Sequence, residues 1–245
     1  CRLINEKFLY LLKHFLLYVK GGFHMRKVNK ENEITKIENE KRGCFGRYNK
    51  GLIIGKIVGD FEITYNKKDW RKFYNARVRV ERLTDDKYDI VPVVIQGNMM
   101  KNKDTQKYLN KIIRVTGEFR SFIRNGHKKH FLYAKTFEIY DQEIPEESNL
   151  IFLEGYLSNE PMQKITYEEK QKIAVFCIAV HRNASGEKSD YINCVAWREN
   201  AEYVRAQCVG QKLRLYGRMQ SRKHGKEKKE VYEVSVTEIH YVRKL

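Results

Sequence analysis

Catalytic signatures are missing from this chain. It has no P-loop, no G-x-S-x-G and no H-E-x-x-H, and its seven histidines are scattered. Neither an enzyme nor a cofactor is expected. Cysteine is sparse as well: Cys1, Cys44, Cys177, Cys194 and Cys208 are odd in number, and no two stand at C-x-x-C spacing. That argues against a disulfide framework and a zinc site and points to a reducing, cytoplasmic setting. Cys177 and Cys194 fall inside strand-like runs, where a free thiol acts as a small apolar residue. The apolar run Phe8 to Val19 is interrupted by Lys13 and His14 and is too short to span a bilayer, so no membrane association is expected. Acidic residues are the remaining shortage: 31 Asp and Glu face 48 Lys and Arg, a formal charge of +17. The imbalance suits a polyanionic partner, although solvated surface lysines would produce it equally well.

What the chain does contain is one strand pattern written twice. The first copy begins Leu52-Ile53-Ile54-Gly55-Lys56-Ile57-Val58, the second Ile151-Phe152-Leu153-Glu154-Gly155-Tyr156-Leu157. Each continues with an alternating strand (Ala76 to Val80; Phe176 to Val180) and an acidic-aromatic turn into another (Tyr88 to Gly97; Asp190 to Trp197). Each then runs through a polar stretch into a strand ending in glycine (Ile112 to Gly117; Leu213 to Gly217), a basic hairpin and a last strand. Between the third and fourth strands, Asn200 to Gln207 reads as helix, and Met99 to Asn110 fills the same slot with weaker periodicity. Five strands with one helix after the third is the order of the OB-fold, a small Greek-key barrel. The expected fold is therefore all-β: two tandem five-stranded OB-fold barrels, each with a short helix between strands 3 and 4.

The boundaries follow. Residues 51–140 form the first barrel and 150–245 the second, joined by the acidic, proline-containing link 141–149. Residues 25–50 read as a charged, loose or partly helical arm. The chain opens on Cys1, and Lys20-Gly21-Gly22-Phe23-His24 ahead of Met25 can be encoded by a ribosome-binding sequence and spacer. Residues 1–24 are accordingly expected to be translated leader, with the native protein starting at Met25; no small-residue cleavage site supports a secretory signal instead.

The second copy carries a resemblance. Glu154-Gly155-Tyr156-Leu157-Ser158-Asn159-Glu160-Pro161 resembles the opening strand and turn of bacterial single-stranded DNA-binding proteins. Phe176 to Arg182 is similar to their second strand, Asp190 to Glu202 to their third strand and helix start, and Gly210 to Arg222 to their fourth strand and hairpin entry. The resemblance implies sequence-independent binding and protection of single-stranded DNA in replication, repair or recombination. In such proteins bases stack on exposed rings while cations neutralise the backbone. Carried over by position, Tyr191 and Trp197 take the stacking slots of the third strand, and His224 lies in the hairpin, where an aromatic is also common. Arg218, Arg222 and Lys223 become phosphate contacts. By spacing alone Tyr191 and Trp197 share a strand face that could equally belong to the core.

The first copy departs from the family pattern: Gln96 stands at the slot of Trp197, Ile90 at that of Tyr191 and Arg124 at that of His224. It is expected either to bind electrostatically, through Arg77, Arg79, Arg120, Arg124, Lys128 and Lys129 with Tyr88, Phe122 and Trp70 nearby, or to serve as a structural partner. The chain ends at Arg243-Lys244-Leu245 without the acidic tail of the family, so tail-mediated recruitment of other proteins is not expected. The family's four-barrel assemblies imply a homodimer, in the cytoplasm with the nucleoid. The alternatives are an OB protein of RNA or of the primosome, and a structural protein-interaction module.

Overall fold

The structure, a computed structural model, describes residues 48–82, 87–124, 126–144, 148–166, 170–182, 188–224 and 229–242. The expected leader and nearly all of the 25–50 arm lie outside these residues. In the first repeat the strands are β1 (Asn49–Ile57), β2 (Glu62–Tyr65), β3 (Lys72–Glu81), β4 (Tyr88–Gln96), β5 (Ile112–Arg124) and β6 (His127–Ile139). The second repeat matches them with β7 (Asn149–Leu157), β8 (Met162–Ile165), β9 (Lys172–His181), β10 (Ser189–Trp197), β11 (Lys212–His224) and β12 (Lys229–Tyr241).

Period-two alternation explains why these segments are strands and which face each one buries. Tyr74, Ala76, Val78 and Val80 of β3 are buried, and so are Ala174, Phe176, Ile178 and Val180 of β9. Burying each large side chain among them contributes about 1.5–3 kcal/mol. In the first repeat β1 pairs with β3, β3 with β4, β4 in parallel with β6, β6 with β5, and β5 with β1, so the pairings close a ring. β7, β9, β10, β12 and β11 close a second ring in the same way. Each closure depends on a glycine. A Cβ on Gly55 would lie 2.4 Å from the Arg79 carbonyl oxygen, and one on Gly155 would lie 2.3 Å from that of Ala179, so only glycine lets the first strand cross there.

One expectation needs an addition and one a correction. Each ring has five strands, and outside the rings β2 and β8 add four-residue edges on β3 and β9. Neither edge strand buries a residue, so neither shows the alternation that reveals the others. Among the described residues the helix appears in the second repeat only: α1 (Arg198–Arg205) buries Ala201 and Val204, with Glu199 in its first turn and Arg205 in its last, both favourable to the helix dipole. In the first repeat Met99 to Asn110 holds only short 3-10 turns, Gly97–Met99 and Thr105–Tyr108. There the Asn102 side chain accepts from the Asp104 N–H (3.0 Å) and the Asp104 side chain from the Gln106 N–H (3.1 Å). Local bonds of this kind compete with helical ones.

The repeats share one continuous twelve-stranded sheet, through antiparallel pairing of β1 with β7. Their long hairpins then cross. The β5–β6 hairpin of the first repeat lies against β10, and the β11–β12 hairpin of the second lies against β4. A reciprocal latch holds each crossing. Asp190 accepts from Arg182 (2.7 and 2.6 Å) and from the Ser121 N–H (2.7 Å), while the Ser121 hydroxyl accepts from the Tyr191 N–H (2.9 Å). On the other side Asp89 accepts from Arg82 (3.0 and 2.7 Å) and from the Ser221 N–H (2.8 Å), while the Ser221 hydroxyl accepts from the Ile90 N–H (3.0 Å).

His130 is caught at one crossing. It is buried, with Nε2 3.2 Å from the Tyr191 carbonyl oxygen. Burial, with Lys128 adding to it against the bond to Tyr191, pushes its pKa down to about 4. The neutral ring is thus favoured in the folded state. Its contribution is fully present above the ordinary pKa near 6.5 and is lost as pH falls from there toward 4. Denaturant unfolding at pH 7 and pH 4.5 should show a loss of up to about 3 kcal/mol that a His130→Gln variant lacks. Equal pH dependence in the two proteins would dismiss His130 as its source.

Candidate nucleic-acid interface

Ile192, Cys194 and Ala196 of β10 turn into the core, and on the opposite face stand Tyr191, Asn193 and Trp197, with Val195 buried among them at 3% exposure. Tyr191 is 49% exposed, and Trp197 is half-buried with its indole Nε1 donating to the Ser235 hydroxyl (3.2 Å). Neither ring is core. Burial pushes the Cys194 thiol well above its ordinary pKa, leaving it an inert apolar group.

The crossing of the hairpins changes which cations accompany these rings. By sequence, Arg218, Arg222 and Lys223 stand beside Tyr191 and Trp197. In the structure Arg218 is turned toward the first repeat, 4.0 Å from Asp89, and its burial lowers its pKa against the pull of that carboxylate. Arg222 is engaged by Glu233 at 2.6 Å, and Lys223 is exposed. The cation over Tyr191 comes instead from the first repeat: Lys128 Nζ lies 5.9 Å from the ring centroid and 3.2 Å from Asn193 Oδ1. The backbones of Arg124 and His224 sit at the hairpin ends, paired with His127 and Lys229, and their side chains lie outside the described groups.

The remaining predicted residues occupy the outer face of the first repeat, and most of its arginines are already bonded. Arg77 reaches across to Glu230 of the second repeat (3.0 Å). Arg79 pairs with Glu81 (2.7 Å) and lies over the exposed Tyr88 ring, 4.1 Å from its centroid. Arg120 pairs with Glu118 and covers the Tyr133 ring at 4.2 Å. Phe122 is exposed and meets Phe131 edge to face, with 5.5 Å between ring centroids. Trp70 is 76% exposed, in the turn between β2 and β3 at φ 52.

Sequence reasoning missed three rings on this face, Phe73, Phe131 and Tyr133. With Val94, Arg120, Phe122 and Arg182 of the second repeat they line an open-sided groove of about 270 Å3. The signal was available in the alternation. Phe73 lies on the same face of β3 as Arg77 and Arg79, opposite the buried Tyr74, while Phe131 and Tyr133 flank the buried Leu132.

Comparison with known proteins places this geometry. The profile of the Single-strand binding protein family matches residues 148–242. Single-stranded DNA-binding protein B of Bacillus subtilis is 36% identical over 96 residues, which cover 37% of this chain and 82% of that protein. Single-stranded DNA-binding protein 1 of Lactococcus lactis is 35% identical over 96 residues, and there the match spans only 62% of the relative's length. In fold, the chain resembles the crystal structure of the single-stranded DNA binding protein from Thermus aquaticus, with a TM-score of 0.64 and 17% identity. That likeness covers 80% of this chain and 93% of the other. Among the described residues no helix is long and apolar enough to cross a membrane.

Proposed function

We propose a binding mode for a chain that belongs to the single-strand binding protein family, as this one does: each ring of strands is a Greek-key OB barrel whose outer face receives an unpaired strand. The protein binds single-stranded DNA without sequence preference and shields it during replication, repair or recombination. Residues 51–140 and 150–245 act as the two binding domains, and a homodimer supplies four barrels.

The observation that supports this reading most directly is the outward face of β10. Two rings, Tyr191 and Trp197, stand on one side of one strand with Lys128 beside the first of them. Bases are flat and apolar on both faces, so any base stacks on such rings, while the lysine meets the phosphates. Duplex DNA hides those faces.

Intrinsic fluorescence tests the function. The full-length chain, titrated with mixed-sequence single strands, the matching duplex and RNA at low and moderate salt, is expected to show quenching and tight binding with single-stranded DNA. That binding should weaken less with salt than any binding to duplex, because stacking carries no counterion release. Equal affinity for all three, lost together on adding salt, would reduce the interaction to generic charge and defeat the reading.

A further inference from the structure

We propose that the groove on the first repeat is a second base-stacking site for unpaired DNA, built from Phe73, Phe122, Phe131 and Tyr133; it rests on the single-strand reading above. The register of the two repeats carries the argument. In the second repeat Trp197 lies opposite Ile173 across the β9–β10 pair. In the first repeat the matching pair is Gln96 opposite Phe73. The ring has moved to the facing strand and the surface remains aromatic.

The same exchange occurs across the parallel closing pair. Val195 faces Ser235 in the second repeat, and this serine receives the Trp197 indole N–H. Val94 faces Tyr133 in the first. Where the second repeat joins a tryptophan of β10 to a serine of β12, the first carries a tyrosine at the serine's position on β6, in register with Val94 of β4. A slot-by-slot reading along the chain finds no rings at Ile90 and Gln96 and so misses the substitution across the strands.

The groove suits this occupant. It is smaller than the ~300–1,000 Å3 typical of enclosed small-molecule sites and is open on one side, as a segment of an extended chain requires. Phe131 and Tyr133 stand at alternate positions of one strand, about 6.6–6.8 Å apart along it. That is close to two steps of a stacked nucleic-acid strand at ~3.4 Å each. Arg120, over the Tyr133 ring at 4.2 Å, adds a guanidinium, a group that also stacks on bases. Exposed Lys129, paired with Phe122, stands on the groove's face of the same hairpin, while Lys128 alternates to the other face beside Tyr191.

Leucine keeps apolar bulk and removes the ring, so the full-length double variant Phe73→Leu with Tyr133→Leu tests the groove. Its affinity for a ~30-nucleotide strand, long enough for two barrels, should fall tenfold or more, with single strands still preferred to duplex through the second repeat. A folded variant with unaltered affinity overturns the groove and assigns its rings to packing or to a protein partner. Photocrosslinking of a halogenated-uracil strand to the unaltered chain needs no substitution at all. Adducts on the 130–135 peptide support the site, and adducts confined to the second repeat overturn it. An unaltered chain with no preference for single strands fails the single-strand reading itself, a result distinct from either.

Discussion

Asp190→Ala is expected to lower the unfolding free energy by about 3–5 kcal/mol, the range for breaking one side of a buried ion pair. Asp190 is 1% exposed and accepts from Arg182 and from the Ser121 N–H, which belongs to the other repeat. Its bond to Arg182 raises that guanidinium's pKa against the cost of burial. Without the carboxylate, a partly buried cation and a buried N–H lose their acceptor together. Asp89→Ala should behave alike, since Asp89 holds Arg82 and Ser221 in the mirrored arrangement. The exposed pair between Arg77 and Glu230 also joins the repeats, with side chains 54% and 36% exposed, and Arg77→Ala should cost no more than about 1 kcal/mol. Urea unfolding of the three variants checks the ranking. A loss under about 1 kcal/mol for Asp190→Ala would mean the latch contributes nothing special to the crossing.

Tyr191→Ala combined with Trp197→Ala should weaken single-strand binding by roughly 2–6 kcal/mol, from about 1–3 kcal/mol per stacked base. The two residues are six apart in an extended strand, roughly 20 Å at ~3.3 Å per residue, so their effects should nearly add. The salt dependence should hardly change, because neither ring neutralises a phosphate. Trp197→Phe separates the ring from its hydrogen bond: it keeps a stacking face and loses only the indole donor to Ser235. Its affinity is expected to stay within a few-fold of the unaltered chain. Binding measured for these two variants decides the matter, and a double alanine variant with unaltered affinity would remove β10 from the interface.

How far the site was legible depends on the range of the interactions that build it. Tyr191 and Trp197 were legible as candidates because period-two spacing and the family's third-strand pattern are both local, and neither ring lies in the core. Phe73 and Tyr133 obey the same alternation, yet reading the repeats slot against slot hid them, since each ring is supplied by the strand facing the expected one. The short edges β2 and β8 bury nothing and left no periodic trace. The helical reading of Met99 to Asn110 failed where the Asn102 and Asp104 side chains accept from the backbone N–H groups two residues on.

By itself the sequence determined that the chain is built of strands, that the pattern is duplicated, which faces are apolar, and that its net charge is strongly positive. All of these rest on residue type and near-neighbour spacing. Which repeat each hairpin covers was decided only in three dimensions. Ser121 meets Asp190 and Ser221 meets Asp89 across separations of 69 and 132 residues, and nothing local in either hairpin names its distant partner. Because those contacts form, Lys128 of the first repeat becomes the neighbour of Tyr191, while Arg218 of the second turns to Asp89. The composition of the proposed interface is thus a property of the crossing, set by buried carboxylates whose acceptor capacity the other repeat's backbone completes.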